Sequence, residues 1–131
     1  MIHLFLFFPL FFLPFFLLPS SLINASLLET VHRGKATFYS ATVLGHCSYP
    51  NPSSDLYVAL ASNLYASGSL CGSCIKVWPG EREEEDTSTH LILPVVDECP
   101  TCDPHQIDLS FTAFAHLASP TQGILQIHWR L

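Results

Sequence analysis

Two aspartates are the residues of this sequence whose type and spacing support chemistry. Asp97 ends the apolar run LILPVV, and Asp108 follows Ile107; between them lie Cys99-Pro-Thr-Cys102 and a turn-rich bridge. Two carboxyls brought to one cleft cannot both ionise freely, so the pKa of one rises. A protonated and an ionised carboxyl side by side can act as hydrogen-bond donor and acceptor, or as a general acid beside its anionic partner. The same stretch also has a structural reading: an acid near a helix start that bonds backbone donors, and an acid that holds a cross-linked turn. No Ser-His-Asp or Cys-His arrangement stands out; the histidines are scattered, and His105 is the one nearest this stretch.

The five cysteines, Cys47, Cys71, Cys74, Cys99 and Cys102, are the second group able to do chemistry. Cys71-Gly-Ser-Cys74 and Cys99-Pro-Thr-Cys102 allow a four-thiolate zinc site, although the two pairs are spaced somewhat wider than usual for one. An exported chain favours disulfides instead, and disulfides are the expectation, with no metal and no cofactor. An odd count leaves one thiol over, and the spacing does not give the connectivity.

Export is expected from the first residues. Leu4 to Leu18 is purely Leu, Phe and Pro, the length of a signal-peptide core and short of the roughly 20 residues that span a bilayer. Cleavage after Ala25 makes 1–25 a signal peptide and 26–131 one small domain, secreted and extracellular. All 11 Asp/Glu and all 5 Lys/Arg fall after the leader, so the domain keeps the net charge of −6. An acidic domain without a basic cluster excludes nucleic acid and anionic membrane as partner classes; neutral polymers and proteins remain. The run 81–89, EREEEDTST, has no apolar residue and reads as a solvated hairpin loop. It lacks the fixed glycine and ligand spacing of a calcium loop.

The elements that must position the acids are short. Gly34–Ser40 reads as a strand with Ala36, Phe38 and Ser40 on one face and Lys35, Thr37 and Tyr39 on the other. Asp55–Leu60, Cys71–Trp78 and His90–Val96 are further strands, the second of these splitting Ile75 and Val77 from Lys76 and Trp78. A brief strand at Asp108 precedes a helix that Ser110 caps, with Phe111, Phe114, Leu117 and Ala118 at helical spacing. Gly123–Leu131 alternates as a closing strand, with Trp129 assigned to the core. Many short strands, turn signals and one short helix predict a small β-barrel.

The ordered set GKATFYS, CGSC, VVDECPTC, IDLSFTAF and GILQIHW resembles the expansin-like and RlpA-like group, small secreted single-domain barrels related to the barwin proteins. The resemblance implies an all-β, six-stranded double-psi β-barrel with one or two short helices. It implies that Asp108 stands at the acid position of the group and Asp97 at a second acidic position of the cleft. Thr37 and Tyr39 then face the same groove. Tyr49 and Trp78 join Tyr39 as rings able to stack on sugars. The expected function is binding of cell-wall polysaccharide (cellulose, chitin or another glucan) and its loosening without hydrolysis. Two alternatives stand beside it: a protein-binding module, such as a cysteine-protease inhibitor or host-interaction effector, and a glycoside hydrolase like the family 45 endoglucanases. The hydrolase lacks its base, because Tyr39 is followed by Ser40, Ala41 and Thr42 where a second carboxylate is required.

Overall fold

The computed structural model describes residues 30–40, 44–80 and 89–131. The expected signal peptide at 1–25 lies outside them, as does nearly all of the acidic run. Strands β1 (His32–Tyr39), β2 (Val58–Ala61), β3 (Cys74–Pro79), β4 (Leu91–Cys99), β5 (Ile107–Ser110) and β6 (Leu125–Arg130) close a barrel in the order β1-β5-β2-β4-β3-β6. Two parallel pairings, β1 with β5 and β2 with β4, cross it; the remaining four are antiparallel. Helices α1 (Ser62–Tyr65) and α2 (Phe111–Leu117) follow β2 and β5. The architecture is the all-β, six-stranded double-psi barrel with two short helices that the motifs imply.

Period-two alternation fills the interior. Ala36, Val58, Leu60, Ile75, Val77, Leu93, Val95, Ile107, Leu109 and Ile127 are fully buried in one cluster, and Trp129 joins them. Burying each large aliphatic side chain contributes about 1.5–3 kcal/mol before entropy is counted. The α2 start is a chemical stop signal for β5. Ser110 leaves the strand, its Oγ accepts the Ala113 N–H at 3.2 Å, and it donates to the Asp55 carbonyl at 2.7 Å. That cap seats Phe114 in the core and fixes where β5, with Asp108, ends.

Strand ends differ from the sequence expectation in informative places. β2 begins at Val58, because Asp55 takes a positive φ and its carbonyl is used by Ser110. β4 runs on through Asp97 to Cys99, beyond the Val96 at which the alternation ends. Cys71–Ser73 is a turn, and β3 starts at Cys74.

The cysteines pair as Cys47–Cys71 and Cys99–Cys102, and Cys74 is free and exposed. This overturns the four-thiolate alternative: Cys71 is bonded to a cysteine outside both close-spaced pairs, so those pairs do not face a common ion. Among the described residues no helix is long and apolar enough to cross a membrane.

Candidate functional site

The site is a row of side chains across four adjacent strands on the outer face of the barrel. Thr37 of β1 is in register with Asp108 of β5, and Asp108 is in register with Ala59 of β2. Ala59 is in turn in register with Asp97 of β4. Their neighbours Ala36, Val58, Leu60, Ile107 and Leu109 point into the core, so this row points out. The two aspartates therefore flank one alanine, two inter-strand spacings or about 10 Å apart at Cα. Ala59 has too small a side chain to rise between them.

Asp97 reaches that row only through a bulge. β2 and β4 pair Val58 with Val95 but Ala59 with Asp97, so Val96 is the extra residue. Simple alternation from Val95 would have aimed Asp97 inward. One inserted residue reverses it, a common use of bulges beside functional clefts.

Each carboxyl has its own surroundings. Asp97 Oδ1 accepts three hydrogen bonds, from the His46 N–H at 2.7 Å, the His46 ring Nδ1–H at 2.6 Å and the Glu98 N–H at 2.8 Å. Burial pushes its pKa up, but these donors together outweigh that and hold it below the ordinary carboxyl value. The same pair raises the pKa of the exposed His46 ring. Asp108 is pushed the other way: burial raises its pKa, and the single opposing influence is the Thr37 hydroxyl, which donates to Oδ1 at 2.6 Å. The Cys99–Cys102 disulfide lies against it, with both sulfurs and a carboxylate oxygen within 4.8 Å of one another. Those two cysteines and Asp108 would be a ligand set only as free thiols, and here the sulfurs are bonded to each other.

Tyr39 of β1 feels the charge of both acids. Burial first, then the Asp97 charge, Tyr57 and Asp108 push its hydroxyl far above the ordinary tyrosine value, so it stays protonated. Its ring meets Tyr57 edge-on at 5.7 Å. The buried hydroxyl is also drawn to Asp97 as a hydrogen-bond acceptor, although that contact falls short of good hydrogen-bond geometry.

Thr37, Asp97 and Asp108 thus share one surface, and the charges of both acids reach Tyr39. Tyr49 stands on the adjoining loop with its ring over Gly72, half exposed. Trp78 is a correction. It was expected to stack on a ligand, but it is 1% exposed and its indole lies on the His128 ring at a centroid distance of 6.0 Å. It offers no open face. His46 and Gln106 are the groove residues that sequence reasoning missed. His46 carries no periodic signal; the available clue was its place next to Cys47, whose disulfide pins that loop to the barrel.

Gly45 makes the His46 contact possible. A Cβ there would collide with the Val96 carbonyl and the Asp97 side chain, so only glycine lets the loop come close enough to donate to Asp97.

Residues 57–129 match the family model described as "Lytic transglycolase". Expansin-like protein 5 of Dictyostelium discoideum is 31% identical over 105 residues, which are 74% of this chain and 43% of that protein. The papain inhibitor of Streptomyces mobaraensis is 33% identical over 105 residues, 74% of this chain and 68% of the inhibitor. This chain belongs to the expansin-like double-psi β-barrel family. Among solved structures, a point variant of Clavibacter michiganensis expansin in complex with cellohexaose superposes with a TM-score of 0.66 at 28% identity. The match covers 76% of this chain and 49% of that one. The barrel therefore spans about half the length, or less, of these expansin relatives.

Proposed function

We propose that this expansin-like barrel is a secreted protein that binds cell-wall polysaccharide in the Asp97–Asp108 groove and loosens it without hydrolysis. The observation that carries the reading is the unlike pair of carboxyls on either side of Ala59. Asp108, whose pKa burial raises, is the readier of the two to share a proton with a glycan oxygen, while Asp97, whose pKa its donors lower, accepts a hydrogen bond from a hydroxyl. Together they replace glycan–glycan hydrogen bonds with protein–glycan ones, which frees a strand without cleaving it. Support comes from the relative solved with cellohexaose. The apolar run at Leu4–Leu18 and two disulfides support export, with 26–131 as the mature domain.

The test has two parts on the purified mature protein: extension of a wall strip under load, and release of soluble reducing ends from cellulose, chitin and wall material. Extension without release, lost in Asp108→Asn, is the expected result. Release above the Asp108→Asn control would make the protein a glycan-cleaving enzyme, and full extension by Asp108→Asn would end the proposed mechanism.

A second reading is supported by the papain inhibitor, which this chain matches over 68% of the inhibitor's length. A barrel that binds a protease would use its loops, and Asp108→Asn would leave inhibition unchanged. A papain inhibition assay separates the two readings.

A further inference from the structure

Cys99, Cys102 and Asp108 form a cluster of three metal-binding side chains, with both sulfurs and a carboxylate oxygen within 4.8 Å of one another. Bonded to each other, the sulfurs offer no thiolate, and the cluster is closed to a cation. Two features of the bridge bear on how readily it opens. It closes a loop of separation 3, against 24 for Cys47–Cys71, so chain entropy gives it the weaker hold on the fold. It is also reachable from one side: Pro100 and Thr101 are exposed and Cys102 is half-buried, whereas Cys99 is buried.

Contacts other than the bridge keep the three side chains together. Cys99 ends β4 in register with Ala61 of β2, and Asp108 lies in β5, which pairs with β1 and β2. The Cys102 N–H donates to the Cys99 carbonyl at 3.2 Å, so the backbone closes the turn by itself. Just beyond, the Gln106 N–H donates to the Asp103 carbonyl at 2.9 Å, and Lys35 Nζ is 2.5 Å from Asp103 Oδ2. The Asn63 amide donates to the Pro104 carbonyl at 3.0 Å. A dithiol formed here therefore stays beside Asp108. The ligands also have supporting partners of the kind that metal sites use. The Thr101 hydroxyl lies 4.0 Å from Cys99 Sγ, within reach of a thiolate. The Gln106 Nε2–H donates to Thr37 Oγ1 at 3.0 Å, and the Thr37 hydroxyl donates on to Asp108 Oδ1 at 2.6 Å. That chain orients the carboxyl and leaves it lone pairs for a cation.

We propose that Cys99–Cys102 is a reducible bridge whose dithiol form, together with Asp108, holds one zinc ion. The reductant is a dithiol. Its thiolate attacks Cys102 Sγ, the more accessible sulfur, and Cys99 Sγ leaves with the electron pair of the S–S bond. The second thiol of the reductant attacks the mixed disulfide, which releases Cys102 and forms the reductant's own disulfide. Two electrons pass to the protein, and each new thiolate takes up a proton. Zinc then displaces one proton from each thiol, and from Asp108 where it carries one. Two thiolates, one carboxylate and a water complete a tetrahedron. Zn–S bonds of roughly 2.3 Å place the sulfurs about 3.8 Å apart, a spacing that Cys-x-x-Cys turns supply. Thiolates select zinc over calcium and magnesium, which take oxygen ligands. The site stands independently of the glycan-binding reading.

The test uses the mature protein carrying Cys74→Ser, which removes the free thiol. It is equilibrated with a dithiol buffer, freed of it under inert gas, and mapped by alkylation and mass spectrometry. Oxidised and reduced samples are then titrated calorimetrically with Zn2+, and with Co2+ as a coloured substitute read by visible absorption. Cys99 and Cys102 are expected to be alkylated ahead of Cys47 and Cys71, with the circular dichroism of the barrel retained. The reduced protein is expected to take one zinc ion per chain and the oxidised protein none. Thr37→Val keeps all three ligands and is expected to weaken zinc about tenfold; Asp108→Asn is expected to weaken it at least as much. Four results overturn the proposal: reduction of Cys47–Cys71 first, loss of the fold with the short bridge, equal zinc uptake by the oxidised and reduced protein, or zinc affinity unchanged in either variant.

Discussion

The Asp97 side and the Asp108 side of the groove sit one strand apart and are built on opposite principles. Asp97 is surrounded by donors: a loop tied down by Cys47–Cys71 brings the His46 backbone and ring to it, and Glu98 adds a third bond. Asp108 is surrounded by bulk: a disulfide lies against it, the barrel buries it, and one hydroxyl is its hydrogen-bonding partner. The first environment stabilises an anion and the second disfavours one. Two identical side chains thereby have their pKa values moved in opposite directions without needing to touch. Like-charge repulsion, the cause first expected from two neighbouring carboxyls, is not among the influences on either of them.

The largest way to break this contrast is to cut the tether on the Asp97 side. Replacing Cys47 and Cys71 by serine opens a loop of separation 24, at a cost of about 3 kcal/mol in the chain-entropy account. For a domain of this size that is a fall of roughly 12–24 °C in Tm by calorimetry. Replacing Cys99 and Cys102, separated by 3 residues, should cost only about 2 kcal/mol. That change should instead be felt at Asp108, whose carboxyl pKa is expected to fall toward the ordinary value as its cover loosens. An unchanged Asp108 titration would mean that the disulfide is not what buries it.

Next in size is Asp108→Ala. Removing a carboxyl that bonds the ligand costs about 1.5–3 kcal/mol, a loss of roughly 10- to 100-fold in glycan affinity. Asp97→Asn should lose less, because the anion's role is shared with the neutral acceptors around it. Equal losses would erase the proposed division of labour.

A finer test uses Gly45→Ala. The added methyl pushes the loop off Val96 and Asp97, so the His46 pKa should return toward 6.5, followed by proton NMR of its ring. His46→Ala should raise the Asp97 pKa while leaving that of Asp108 in place.

The smallest effect is the pH dependence of stability, and its signs differ between the two sides. Asp97, lowered in the fold, contributes stability above the ordinary carboxyl pKa that is lost as pH falls through its lowered value. Asp108, raised in the fold, costs stability as pH climbs from the ordinary carboxyl value through its raised one. His46, raised, contributes below 6.5 and ceases to as pH rises through its folded pKa. Thermal melts of wild type and Asp108→Asn between pH 3 and 6 should diverge toward the upper end, where only the wild type must deprotonate a buried acid.

Much of the barrel follows from local rules that a single sequence carries. Alternation assigns Ala36, Ile75, Val77, Ile127 and Trp129 to the interior because a strand offers only two faces. Ser110 marks the α2 start because its hydroxyl satisfies an amide that the helix cannot. Asp108 is aimed by the same alternation, from Ile107 and Leu109 on either side of it. The remaining choices are non-local. Asp97 faces out because β2 and β4 pair with a bulge at Val96, and bulge placement depends on how two strands 37 residues apart fit in register (Val58 with Val95). Trp78 is in a position that alternation points outward, yet it is buried; alternation gives direction, whereas burial depends on what else the fold lays over that face. His46 meets Asp97 across 51 residues through a glycine contact, an aim that no periodic pattern encodes. The sequence by itself determined which residues line each face of the strands without a bulge. Only the tertiary structure decided which acid's pKa falls and which rises, since pKa values depend on neighbours drawn from distant parts of the chain.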